Sequence, residues 1–423
     1  MNKDGQPYRQ SDFKNSLKNL TGTTVYFFCQ WLTLIIVINI AGYAVSGEYL
    51  LVISFTNLFG FISLYNLRNF QLSDVGHKFT PQQYTGAYVI SSGTAIVFFF
   101  AALPFSGYSF GVILGCLVYI VYRLNETFSA YTFTYMQMEN RFSQIAVSHF
   151  LKGIIPLAGF TLCLYFTQSL WQALGVMSFL FFLLLVFYDL SILRPTFPRG
   201  ISFRGTSLIL RQCFPLMVSP LILSFMLFLT RHIVEMIHGV EKLGYYSAFT
   251  MIIVVFWSMT GAVYVVLLPA ISNKIAARQN SHIGRSVFVL TGIIFAATLL
   301  AIFLACLIGD LVFSFIFGAE ILPYMYLLPP AIIAGALLAL IGFLTTCLIA
   351  MHLRVPMLIS KLAGAALLGF LAIPATERYG LLGITNALSL SFGVIIILQG
   401  IIIFYSLAFS ITSNDKSMKK KSL

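Results

Sequence analysis

Seven ionisable residues within stretches otherwise apolar enough to lie in a membrane stand out as site candidates: Arg123, Glu126, Lys152, Asp189, Arg231, Glu235 and Lys361. A charge at bilayer depth is expensive, so such groups face a bundle interior or a watery cavity and mark sites. The cations Arg123, Lys152, Arg231 and Lys361 suit an anionic ligand, whose hydration and counterions they can replace. The carboxylates Glu126, Glu235 and Asp189 suit coupling or gating through a change of protonation. Arg123 and Glu126 at i,i+3, and Arg231 and Glu235 at i,i+4, share a helix face and can pair. Lys152 and Lys361 have no acid in reach on their own helices, which makes them the cations expected to serve an anionic ligand. Two plainer readings stand beside these: structural ion pairs within a bundle, and long side chains that snorkel to the interface.

The elements that carry these residues follow from composition. Hydrophobic residues make up 59% of the 423 and charged residues only 9%, where a soluble domain has about 25% charged. The chain is therefore read as an all-α polytopic membrane protein. A crossing takes about 20 apolar residues, and the pattern gives about twelve: 24–45, 48–67, 86–104, 109–135, 145–166 and 169–192, then 213–235, 242–271, 286–316, 323–350, 355–374 and 381–409. The resulting plan is an N-terminal segment 1–23, a first lobe 24–193, a linker 194–211, a second lobe 212–410 and a basic tail 411–423. The first apolar run is longer than a signal-peptide core, so it reads as a retained span.

Twelve spans put both termini on one side. With the N-terminus inside, nineteen of the 25 Lys and Arg fall on the cytoplasmic side and two, Lys242 and Arg378, outside. That bias sets both termini in the cytoplasm and accounts for the net charge of +12 without nucleic acid. The four cations left over are Arg123, Lys152, Arg231 and Lys361.

An internal repeat links the halves. Lys152 and Lys361 lie equally far into spans five and eleven, separated by nearly half the chain. Gly47-Glu48-Tyr49-Leu50 echoes Gly244-Tyr245-Tyr246-Ser247, and Leu174-Gly175-Val176 echoes Leu382-Gly383-Ile384. Six spans per half make the repeat parallel, as in transporters built from two bundles.

Other chemistry finds little support. His232, Glu235 and His238 fan over about 120° of helix, so no metal site is expected, and no cofactor. Cys29, Cys116, Cys163, Cys213, Cys306 and Cys347 include no CxxC and read as small apolar fillers. Prolines such as Pro156, Pro269 and Pro374 fall within spans, where bilayers tolerate them. The absence of GxxxxGK[ST] rules out ATP hydrolysis at a P-loop within this sequence.

Several motifs carry a resemblance. Arg68-Asn69-Phe70-Gln71-Leu72-Ser73-Asp74-Val75 with Tyr84, then Tyr122-Arg123 with Glu126, Gln137 and Arg141, are similar to the loop after span two and to span four of Wzx-type flippases. Leu243-Gly244-Tyr245-Tyr246-Ser247-Ala248, Leu268-Pro269-Ala270-Ile271-Ser272 and Phe317-Gly318-Ala319-Glu320 extend the likeness over the whole chain. These flippases export lipid-linked polysaccharide repeat units and belong to the multidrug/oligosaccharidyl-lipid/polysaccharide (MOP) superfamily. The resemblance implies two pseudo-symmetric six-helix lobes around a central cavity, in a bacterial inner membrane. Its substrate would be an undecaprenyl-pyrophosphate-linked oligosaccharide for O-antigen or capsule, moved outward by alternating access. A monomer in the bilayer is the default expectation, since each lobe pair already encloses a pathway, with a polysaccharide polymerase as an expected partner. The competing functions are a small-molecule or multidrug antiporter of the same superfamily, and a polytopic polysaccharide polymerase or ligase. The short outside loops disfavour the last.

Overall fold

The computed structural model describes residues 10–74, 78–193, 197–198, 200–276, 280–351 and 353–419, with side chains described from 21 onward except at 258–288 and 407–419. Lys3, Arg9, Val75, Arg194, Arg199, Arg278, Lys420 and Lys421 lie outside the described residues. The side chains of Lys14, Lys18, Lys274, Arg285, Lys416 and Lys419 and of the Leu268–Ser272 motif lie outside them too.

Among the described residues the protein is helical, with no strand. Its helices are α1 Gln10–Leu64, α2 Leu67–Ser73, α3 Pro81–Ala102, α4 Phe110–Met138, α5 Phe142–Thr167 and α6 Leu170–Leu184. There follow α7 Ser191–Leu193, α8 Thr206–Ala276, α9 Asn280–Phe317, α10 Leu328–Ala350 and α11 Arg354–Lys419. Nine helical stretches are long and apolar enough to cross a membrane. Three of them are broken by a glycine: α1 at Gly42 (φ 85°, ψ 178°), α8 at Gly239 (φ 83°, ψ 168°) and α11 at Gly380 (φ 60°, ψ −142°). Positive φ with extended ψ is open essentially to glycine alone, so each break turns one helix into two spans and the nine stretches make twelve.

The break in α1 corrects the sequence reading of spans one and two, which placed their junction at 46–47. Gly47 and Glu48 continue the helix, and Gly42 turns it. The correction sharpens the repeat, because Gly42 and Gly239 each stand five residues before an echoed glycine, Gly47 and Gly244.

The chain forms two compact units, Met1–Ser224 and Phe225–Leu423. In the first, α1 packs on α5, α4 and α3, and α5 packs on α6. Small residues allow the close contact of α1 with α5: a Cβ on Gly22 would lie 2.5 Å from the Ala146 carbonyl oxygen. Such approaches suit a bilayer, where van der Waals packing must supply what the hydrophobic effect cannot. In the second unit α10 packs on α11 and α9, and its core includes Phe343, Leu344, Cys347, Leu348, Met357 and Ile403.

Two devices in the first unit position charged side chains. Between α6 and α7 the helix widens into a π-helical stretch, Leu185–Leu190, which carries Asp189. Such bulges cluster at functional sites because they re-aim a side chain. Gly60, on the second arm of α1, lies where an added Cβ would come within 2.3 Å of Arg123 Nε. The missing side chain makes room for the arginine stem.

Candidate functional site

Lys152 is not the unpaired cation its own helix suggested. Its side chain is 2% exposed and forms an ion pair with Asp189, which is fully buried, across from α5 to the π-helical stretch. The reading failed because the partner lies on another helix. The carboxylate is fully engaged: Ser129 donates to Asp189 Oδ2 at 3.0 Å and Ser148 to Oδ1 at 2.6 Å. Lys152 Nζ donates to Ser129 Oγ at 2.5 Å as well. The rings of Phe133 and Phe181 flank the ammonium, at 5.2 and 4.8 Å from their centroids. A buried pair survives only when its remaining lone pairs and protons are satisfied, and these contacts satisfy them. Ser129 and Ser148 were not singled out from sequence. Ser148, one turn before Lys152, was the only local hint.

Arg123 and Glu126 pair as their spacing requires, with Nη1 to Oε2 at 2.5 Å and side chains 21% and 22% exposed. The other carboxylate oxygen accepts from Tyr26 of α1 at 2.7 Å. Tyr26 in turn meets the Tyr122 hydroxyl at 3.1 Å, and Gln30 donates to Tyr122 at 2.5 Å. Arg123 Nε is buried without a hydrogen-bond partner. Partial exposure and an unsatisfied donor distinguish this pair from Lys152–Asp189. Aromatic rings connect the two clusters: Tyr122 meets Phe181 edge-on at 4.9 Å, and His149 lies between Tyr26 at 5.3 Å and Phe133 at 4.9 Å.

The residues of the Arg68–Tyr84 motif come together at one end of the first unit. Asp74 accepts from the backbone N–H of Lys78 and Phe79 at 3.1 and 3.2 Å and from the Tyr84 hydroxyl at 3.0 Å. Thr80 and Gln83 then form a capping box for α3. Arg68 donates to Gln137 at 3.2 Å, and Arg141 to the Ile192 carbonyl at 3.3 Å. These arginines hold loops to helix ends.

The second unit holds Arg231, Glu235 and Lys361. Arg231 is 6% exposed and makes no ion pair with Glu235, contrary to the i,i+4 expectation. Glu235 turns instead to His232 at i−3, with Oε2 3.6 Å from Nδ1. On one helix both pairings are geometrically open, and the part-exposed Glu235 meets the part-exposed His232 and not the buried Arg231. Among the described residues no carboxylate lies within ion-pair reach of Arg231. Its electrostatic neighbour is Tyr246, whose buried hydroxyl lies against Thr230 and Thr385. Those threonines donate to their own helices at 2.8 Å, Thr230 to Leu227 and Thr385 to Leu381. Lys361 is 2% exposed within α11.

The repeat gives Arg231 a reference point. The register that aligns Gly42 with Gly239 also aligns Thr33 with Thr230, Tyr49 with Tyr246 and Leu34 with Arg231. Tyr49 is buried beside Thr33, as Tyr246 is beside Thr230. Leu34 is 2% exposed. The phenols match, since both hydroxyls are buried; the difference is that one half fills this position with an ordinary apolar side chain and the other with a buried guanidinium.

No protein-family model matches this chain, and no curated protein matches it in sequence. Solved structures do match in fold. The lipid II flippase MurJ superposes with a TM-score of 0.70 at 12% identity, covering 95% of this chain and 91% of its own. The eukaryotic MATE transporter AtDTX14 gives 0.64 at 13%, covering 93% and 96%, and the Vibrio cholerae MATE transporter VcmN, in its bent form, 0.58 at 11%, covering 96% and 99%. The chain thus shares its multi-span, all-helical fold with MATE transporters and a lipid II flippase alike.

Proposed function

We propose that the protein is a flippase that carries undecaprenyl-pyrophosphate-linked oligosaccharide repeat units from the cytoplasmic to the outer leaflet of a bacterial inner membrane. It serves O-antigen or capsular polysaccharide synthesis, and it works as a monomer by alternating access with both termini in the cytoplasm. The observation that carries this reading is the buried Arg231, without a carboxylate partner among the described residues, where the repeat-equivalent position in the other half holds the buried Leu34. A diphosphate cannot cross about 30 Å of hydrocarbon unaided, and a guanidinium can meet it with two parallel hydrogen bonds. Arg123, Lys152 and Lys361 complete the cationic set, although Asp189 already neutralises Lys152. The lipid tail stays in the bilayer, and a polysaccharide polymerase receives the product.

The MATE likenesses make small-molecule antiport the second reading. A buried cation without a counter-charge repels cationic drugs, which favours the flippase. Deleting the gene tests the choice: surface polysaccharide is lost and lipid-linked repeat units accumulate. Normal surface glycan without accumulation would rule the flippase out.

Arg123 and Glu126 act in this reading as a switch, with the substrate phosphate displacing Glu126 from Arg123. Arg123→Ala abolishes export and Arg123→Lys keeps part of it, since lysine retains the charge but not the fork. Proton coupling through Glu126 or Glu235 predicts that Glu126→Gln and Glu235→Gln alter the pH dependence of transport in vesicles. Unchanged rates and pH profiles would remove those carboxylates from coupling.

A further inference from the structure

The stretch Val289–Phe317 of α9 is the least buried of the candidate spans. Leu307, Leu311 and Phe315 on it are 67%, 73% and 89% exposed. Among these apolar side chains stands Asp310, also exposed. It has no ion pair or hydrogen bond among the described residues. The adjoining face is closed, because a Cβ on Gly309 would come within 3.1 Å of Leu328 and 3.2 Å of Met325. Asp310 is one residue, about 100°, round the helix from that contact, in line with Cys306 and Ser314 one turn to either side.

The charge cannot escape along the helix. Exposed apolar side chains continue beyond it to Phe315, and the helix end at Phe317 is about 10 Å away at 1.5 Å per residue. An aspartate side chain is far too short to snorkel that distance. The basic residues nearest along the chain offer nothing either, since Arg285 at the other end of α9 is about 37 Å off by the same rise. A carboxylate at that depth calls for a partner.

We propose that this face of α9 docks a transmembrane helix of another protein, one that presents a Lys or Arg side chain at the depth of Asp310. Charge complementarity selects the occupant. A second copy of this chain on the same face would bring two Asp310 carboxylates together, because a two-fold interface pairs identical patches. The exposed cations on this chain's described helices, Arg211, Lys242 and Arg378, stand close to a helix start or a glycine break and so nearer a span end than Asp310, while deeper in the spans Lys152, Arg231 and Lys361 are buried and Arg123 is paired with Glu126.

The test uses the full chain in vesicles, with synthetic polyleucine transmembrane peptides as probes, one all-leucine and one with a single Lys at the matching depth. Energy transfer between labelled protein and peptide reads association. The Lys peptide binds roughly 3- to 30-fold more tightly than the all-leucine peptide, the range found for polar contacts between helices in membranes. Asp310→Asn removes most of that preference. Asp310→Lys transfers it to a peptide carrying Asp, a gain that misfolding cannot produce. Equal binding of all peptides, or self-association that depends on Asp310, would overturn the proposal.

Discussion

Asp189→Asn destabilises the protein by about 3–5 kcal/mol, the cost of leaving one partner of a buried ion pair without its counter-charge. The asparagine keeps the size of the carboxylate and can accept from one of Ser148 and Ser129 while its NH2 donates to the other's hydroxyl oxygen, so packing changes little. What it leaves is the Lys152 ammonium, 2% exposed between Phe133 and Phe181. Lys152→Met does the converse and strands Asp189, with a loss of similar size. The double variant Lys152→Met/Asp189→Asn recovers most of the stability, because a buried pair replaced by groups of similar volume is often neutral. Denaturant unfolding of purified protein gives the three values and their coupling. Single variants that each cost under about 1 kcal/mol would mean that the pair is solvated and not the anchor described above.

Arg231→Leu, by contrast, keeps the fold and loses export. The repeat supplies the reason, because Leu34 occupies the equivalent position as a buried core residue. Loss of a desolvated charge contact typically costs about 2–5 kcal/mol, so export falls at least about 30-fold while thermal stability stays near wild type or rises. Arg231→Lys retains part of the activity. Tyr246→Phe removes the hydroxyl beside Arg231 and costs less, in the range of about 2- to 12-fold expected for a single neutral hydrogen bond. Export by Arg231→Leu at the wild-type rate would leave the arginine without a role in substrate binding.

These two cases show what a sequence can and cannot reveal. Arg123 and Glu126 were legible as a pair because three residues of helix fix their geometry. Lys152 and Asp189 lie 37 residues apart on different helices, and nothing local to either one announces the contact. Arg231 and Glu235 had the right spacing, but His232 offered a competing and more exposed partner. The breaks at Gly239 and Gly380 fell between runs that already read as separate spans. Gly42 did not, because the polar pair Gly47-Glu48 beside it was the stronger signal. The repeat was legible as scattered echoes, and the glycine breaks gave the Gly47/Gly244 echo a register that exposes the exchange of Leu34 for Arg231. The identity of the sugar left no mark, because short aromatic and hydroxyl side chains serve packing and carbohydrate contact equally well.

The most direct test is reconstitution of the purified chain in proteoliposomes with undecaprenyl-pyrophosphate-linked oligosaccharide on one side, following access of the head group from the other leaflet, beside uptake of a cationic drug. The flippase account predicts translocation of the lipid-linked sugar by the wild-type protein, none above background by Arg231→Leu, and no drug transport by either. Drug antiport without movement of the lipid-linked sugar would contradict it.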